Sequence, residues 1–208
     1  LLAGDTILQR CSPTDQSTYP LFGDAGTATA LEYREGEAMF FDLNSDGSGA
    51  DVIAIRDGGA RNPVSPQSFD YYESGEGITR NNLQLELDGM SVFSFGISKA
   101  PKSVKSLLEF CGKEKDSVDY YIFHQANMMM NEKIRTKLSL PEEKVPYSIR
   151  DFGNTSCATI PLTMVTQLSD KLRTEILTHI GCGFGVGLSW GSVYFNTDHI
   201  CCPDLIEI

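Results

Sequence analysis

Four consecutive uncharged residues, Tyr120-Tyr121-Ile122-Phe123, constrain this chain most. Each is aromatic or β-branched, so the run reads as a buried strand. A strand apolar on both faces needs cover on both, which points to a sheet layered with helices. The run ends on His124. A titratable residue at the C-terminal mouth of such a strand stands where α/β sheets usually hold chemistry. A second polar cluster, Gly153-Asn154-Thr155-Ser156, follows later and also precedes a helical pattern. The question is whether His124 and Asn154 meet.

The pattern around that strand predicts a layered fold. Leu83, Leu85 and Leu87 alternate with polar residues, as a strand does. Val92 to Phe110 repeats apolar residues at helical spacing, and Pro101 inside it predicts a kink or a break. Residues 127–138 read as a helix with Met128, Met130, Ile134 and Leu138 on its apolar side. Val145 to Ile149 reads as a strand, and Thr155 or Ser156 as the cap of a helix from Ala158 to Leu172. Ile176 to Ile180 and Leu188 to Phe195 read as strands around a glycine-rich stretch, Gly181 to Gly187. From Asn82 the order is β-α-β-α-β-α-β-β, an α/β fold with a mixed sheet and a terminal hairpin. Upstream, Leu1 to Gly4, Leu21 to Leu31 and Ala38 to Leu43 read as short strands. Asp57 to Asn81 carries Gly58, Gly59, Pro63, Pro66, Gly75 and Gly77 and reads as a loop. The expected division is therefore 1–60, a linker at 61–81, and 82–208.

Charge and motifs remove several function classes. The net charge is −11 at pH 7, which argues against nucleic acid, because phosphate contacts need a basic surface. The short series Lys99, Lys102 and Lys105 reads as a solvated helix face. No apolar run is long enough to span a bilayer, so no membrane partner is expected. No pair among the six cysteines has Cys-x-x-Cys spacing, which fits free thiols in a reducing, cytoplasmic compartment. Asp42-Leu43-Asn44-Ser45-Asp46-Gly47 matches the first half of a calcium loop, but Ile53 stands where the bidentate Glu is required. It reads as an Asx-rich turn, and no metal site is expected. The glycine-rich stretch lacks Gly-x-Gly-x-x-Gly and runs into a strand, so it offers no helix N-terminus for a dinucleotide. A tight loop bringing backbone N–H groups near a reacting carbonyl fits it better. The opening Leu-Leu-Ala-Gly-Asp reads like the middle of a strand in something longer.

Taken together, several runs resemble one family. They are Phe22-Gly23-Asp24-Ala25-Gly26, Asp46-Gly47-Ser48-Gly49-Ala50-Asp51, His124-Gln125-Ala126-Asn127, Gly153 to Pro161, and Gly183 to Gly191. In order and spacing, over essentially the whole chain, they resemble β-ketoacyl-acyl-carrier-protein synthase III. The resemblance implies a thiolase-like fold of two similar α/β halves, layered α-β-α, in a homodimer. This chain would supply the end of the first half and all of the second, with an N-terminal half upstream of Leu1.

The implied activity is acyl transfer followed by decarboxylative Claisen condensation of an acyl thioester with malonyl-acyl-carrier protein, in fatty-acid or related biosynthesis. The implied triad is Cys, His and Asn, with His124 and Asn154 matching its last two members. Asn127 resembles a residue beside the pantetheine arm, and Phe184 the aromatic at the site's edge. Backbone N–H groups at Gly185 and Val186 would form the oxyanion hole. No cofactor is implied beyond acyl-CoA and phosphopantetheine thioesters as substrates. The implied partners are acyl-CoA and the acyl-carrier protein. Three departures stand out. The nucleophilic cysteine belongs upstream of Leu1, and Cys157 stands where the family has a small residue. Met129 takes the place of an arginine that helps dock the carrier. Val186 replaces a glycine, in a loop where φ > 0 would be disfavoured for it. Two alternatives remain open: a non-catalytic thiolase-fold partner subunit, and a related thioester acyl-transfer enzyme with the same His/Asn pair.

Overall fold

A computed structural model describes residues 1–75 and 77–207. The early strands are β1 (Leu2–Asp5), β2 (Ala25–Ala28), β3 (Phe40–Ser45), β4 (Ile53–Ala54), β5 (Tyr72–Glu73), β6 (Thr79–Arg80) and β7 (Glu86–Leu87). Then come α1 (Gly89–Cys111), β8 (Tyr120–Phe123), α2 (Met128–Leu138), α3 (Ile149–Phe152), α4 (Thr159–Thr174), β9 (Ile176–Gly185) and β10 (Ser189–Asp198).

The central sheet runs β3-β10-β9-β8. β9 and β10 are the expected hairpin, paired from Gly185 opposite Ser189 to Ile176 opposite Asp198. β8 joins β9 in parallel, Tyr120 opposite His179 and Phe123 opposite Cys182. β3 pairs antiparallel with β10 at the other edge, so the sheet is mixed. The strand alternation of β8 divides its four buried side chains between two layers. Tyr121 and Phe123 pack with α1 and α2, and Tyr120 and Ile122 pack with α4. Burying each contributes about 2 kcal/mol, which is why helices cover both faces of the strand. The result is an α-β-α layered α/β fold.

α1 begins on Asp88, whose Oδ1 accepts from the N–H groups of Met90 and Ser91 at 3.1 Å. It ends at Gly112 in the left-handed conformation. Pro101 sits inside this one helix, and the expected break does not occur. Burial of Ala100, Ser103, Val104, Leu107 and Leu108 holds the turn that loses a hydrogen bond there.

The structure corrects four other local expectations. Val145 to Ile149 is no strand. A turn at Glu142–Lys144 leads to α3, and the side-chain Oε1 of Gln125 accepts from Ser148 N–H (3.2 Å) and Ile149 N–H (3.3 Å). A side chain takes the place of a ladder partner. The glycine-rich stretch is strand as far as Gly185, because its residues pair in register with β10. Of the Leu83–Leu87 alternation only Glu86–Leu87 is paired, with β4. Neither Thr155 nor Ser156 caps α4 through its side chain.

β3 lies in the segment expected to end a first half, yet it is an edge strand of the sheet formed by the last segment. The division expected at 61–81 therefore does not coincide with a break in the sheet. That stretch includes Glu76, which lies outside the described residues. Its described part carries the β5–β6 hairpin and is fastened to residues 12–15. Ser12 and Thr14 hydroxyls donate to the Thr79 carbonyl, and the buried Arg80 pairs with the buried Asp15 at 3.2 Å. The half calcium motif is a turn in which Asp46 Oδ1 accepts from Ser48 N–H and Oγ–H. Among the described residues no helix is long and apolar enough to cross a membrane.

Candidate active site

A cleft of about 1070 Å³ opens at the C-terminal mouth of β8. His124, Asn127, Asn154, Phe184, Gly185 and Val186 all line it, so the structure brings the six site residues expected from sequence to one place.

His124 is set by the parallel ladder. Its N–H donates to the Cys182 carbonyl at 2.8 Å, one step beyond the last residue of β8. The ring meets Phe184 edge-on, with centroids 5.4 Å apart. Nδ1 lies 2.7 Å from Thr159 Oγ1. Burial holds the imidazole down at about 4, with a contact to the Ser156 carbonyl acting in the other direction. The ring is therefore neutral near pH 7.

Asn154 follows α3, in a place where two backbones cross. Its N–H donates to the Leu21 carbonyl at 2.9 Å, and its carbonyl accepts from Gly23 N–H at 3.0 Å. The crossing is close because both strands of it use glycine. A Cβ on Gly23 would stand 2.1 Å from the Phe152 carbonyl oxygen, and one on Gly153 2.9 Å from that of Leu21. The Asn154 Oδ1 accepts from Ser156 N–H at 3.0 Å, which orients the amide and leaves Nδ2 as its donor end. That bond also holds Ser156 at φ 54, a left-handed conformation uncommon for serine. Gln125 links the two residues indirectly. It is wholly buried, donates to the Phe123 carbonyl at 2.8 Å, and holds the start of α3.

Asn127 is the N-cap of α2, its Oδ1 accepting from Met130 N–H at 2.8 Å. Asn127→Ala is expected to cost about 1 kcal/mol of stability, and Asn127→Ser to recover most of it, in urea unfolding. An alanine variant as stable as the wild type would show that the cap contributes nothing.

Gly185 ends β9, and the turn into β10 follows. The positive φ in that turn falls on Gly187 (138°) and not on Val186, so valine is accommodated there without strain.

Sequence reasoning missed several lining residues: Thr159, Ser156, Phe22, Val92, Met130 and Trp190. Most are apolar or small and carry no chemical signature. Thr159 carried one signal, a hydroxyl in the first turn of the helix after Asn154. The six cysteines are free. Only Cys157 among them lines the cleft, exposed, its Sγ 3.5 Å from the Gly4 carbonyl. Burial pushes the Cys182 thiol up to about 12, which leaves it inert. Among the described residues no group of His, Cys, Asp and Glu is arranged to hold a metal.

Comparisons with known proteins agree on one family. Residues 108–197 match the model for the C-terminal part of 3-oxoacyl-[acyl-carrier-protein] synthase III. The chain is 35% identical over 199 residues to a β-ketoacyl-[acyl-carrier-protein] synthase III of Prochlorococcus marinus (strain NATL2A), covering 94% of this chain and 56% of that protein. It superposes on the crystal structure of a 3-oxoacyl-(acyl-carrier protein) synthase from Burkholderia xenovorans LB400 with a TM-score of 0.89. The identity there is 40%, over 100% of this chain and 58% of that one. Another crystal structure of a 3-oxoacyl-(acyl-carrier-protein) synthase III matches with a TM-score of 0.86 at 32% identity, over 94% of this chain and 59% of that one. The fold is thiolase-like, and the chain spans somewhat more than half the length of the relatives it matches.

Proposed function

Because the chain belongs to the β-ketoacyl-acyl-carrier-protein synthase III family, over its C-terminal portion, we propose that it supplies the histidine and asparagine of a decarboxylative Claisen condensation. The observation that carries this reading is the meeting of a neutral His124 and an oriented Asn154 in one cleft. Both are hydrogen-bond donors there, and neither is a strong base.

The substrates are an acyl-CoA and a malonyl-acyl-carrier protein, with the pantetheine arm passing Asn127. A cysteine thiolate from outside residues 1–208 takes the acyl group and releases CoA. Backbone N–H groups of Gly185 and Val186 receive the oxyanion of that transfer. Malonyl decarboxylation then leaves its electron pair on the α-carbon, delocalised onto the thioester oxygen. His124 Nε2–H and Asn154 Nδ2–H donate to that oxygen. The carbon attacks the acyl thioester, the new carbon–carbon bond forms, the carbon–sulfur bond breaks, and the thiolate returns. A donor of this kind in a dry site is worth ~10²–10³ in rate.

The same reading takes the protein to act in fatty-acid or related biosynthesis, as a homodimer and in a reducing, cytoplasmic setting, the last of which its free thiols suit. Met129, 67% exposed, stands where the resemblance has an arginine that docks the carrier, so the ionic contact of the usual docking mode is missing at that position.

The test uses the full-length protein. His124→Ala is expected to form the acyl-enzyme from acyl-CoA, seen by mass spectrometry, while malonyl decarboxylation and carbon–carbon bond formation fall by ~10² or more. Undiminished condensation by this variant would sink the proposal.

A further inference from the structure

The Nδ1 edge of His124 faces a single hydroxyl, Thr159 Oγ1, at 2.7 Å. Thr159 is 2% exposed, in the first turn of α4. Its hydroxyl carries one proton and has two acceptors in reach. One is Nδ1. The other is the Ser156 carbonyl, at 3.0 Å. That carbonyl already accepts the Thr159 backbone N–H. Among the described residues Nδ1 has no other donor. A buried acceptor left without a donor costs more than a second bond to a satisfied carbonyl returns. A hydroxyl could instead accept an Nδ1–H while donating to the Ser156 carbonyl, but that carbonyl already has a donor, so the shorter contact to Nδ1 makes the better use of its proton.

We infer that Thr159 is a positioning residue: it donates its hydroxyl proton to Nδ1 of His124 and so fixes the tautomer that turns Nε2–H toward the cleft. The opposite tautomer has its own acceptor at hand. An Nδ1–H would donate to the Thr159 hydroxyl oxygen, whose own proton would go to the Ser156 carbonyl at 3.0 Å. It would present a bare lone pair at Nε2, which repels an enolate oxygen. Thr159 thus decides whether His124 meets the cleft as donor or as acceptor. The β-branched side chain has few rotamers in a helix, so the hydroxyl is held ready. The assignment of a tautomer stands on this geometry alone; its catalytic meaning rests on the proposed function.

The experiment records histidine side-chain nitrogens in the full-length, ¹⁵N-histidine-labelled protein at neutral pH, with the His124 signals identified from a His124→Gln variant. The wild type and Thr159→Ser are expected to show Nε2 protonated and Nδ1 bare. In Thr159→Val, which removes the hydroxyl beside Nδ1, the preference for Nε2–H is expected to be lost and the Nδ1–H form to appear. Condensation is expected to fall about tenfold or more in Thr159→Val, part of the 10²–10³ one such donor supplies, and to be kept in Thr159→Ser. A wild-type spectrum with Nδ1 protonated overturns the inference, and so does a Thr159→Val protein that keeps Nε2–H. If Thr159→Val does not fold, the wild-type spectrum decides. The expected spectra with full condensation in His124→Ala would uphold the Thr159 assignment while removing the proposed function.

Discussion

Between pH 7 and pH 4 the folded chain is expected to lose about 6 kcal/mol of stability, about 3 kcal/mol for each of two buried histidines. Burial holds both His124 and His179 at about 4, against an ordinary value of 6.5. His179 lies on the α4 side of the sheet, stacked on Tyr120 and Phe195, with Nε2 2.8 Å from Thr197 Oγ1. The folded pKa is depressed, so the unfolded chain binds protons first as pH falls. The contribution is complete above about 6.5, declines through the window from 6.5 to 4, and is exhausted below it. Near pH 5 each histidine steepens the decline by about 1.4 kcal/mol per pH unit. The loss is comparable with the whole stability of an ordinary domain, so cooperative acid unfolding above pH 4 is the expected observation. Glu132 is held below its ordinary range by hydrogen bonds from Arg135 and Tyr147. Urea unfolding at stepped pH measures the slope, and His179→Gln should halve it. Stability that stays flat from pH 7 to pH 5 would contradict the burial of both rings.

Gly23→Ala is expected to cost about 3 kcal/mol or more and to remove Asn154 from the cleft. The added Cβ would meet the Phe152 carbonyl oxygen at 2.1 Å. A backbone oxygen cannot swing away as a side chain can, so the crossing must open. Opening it breaks the bonds between Leu21, Gly23 and Asn154 that place the asparagine. Gly153→Ala meets the same barrier from the other strand, with two causes acting together. Its φ of 67° with ψ of −161° is nearly closed to any residue with a side chain, and its Cβ would crowd the Leu21 carbonyl. Thermal unfolding of the two variants, with Gly26→Ala as a control that meets nothing nearby, tests the argument. A Gly23→Ala protein as stable as the control would refute it.

Much of this was legible in the residues themselves. Tyr120 to Phe123 could be covered only from both faces, and α1, α2 and α4 do cover it. The helix read over 127–138 is there, although Asn127 proves to be its cap and not its first residue. What misled was local pattern without its partners. Val145 to Ile149 has the composition of a strand, but the amide of Gln125 satisfies its backbone from the side. Of the kink or break expected at Pro101, the break does not occur, because buried packing along α1 holds the helix together. Segment 1–60 gave no sign that β3 would pair with β10, because that contact joins distant parts of the chain.

The sequence alone determined the α/β class, the strand that ends on His124, and the family whose motifs the chain carries. Those depend on periodicity and on residue types in order, which are local properties. Only the tertiary structure decided that His124, Asn154, Asn127 and Phe184 line one cleft. It also decided that a glycine crossing places Asn154, and that burial keeps His124 neutral. Proton affinity and close approach depend on what surrounds a group in space, and no spacing along a chain states that. The strand Tyr120 to Phe123 brings the histidine to its place; the fold around it keeps that histidine neutral.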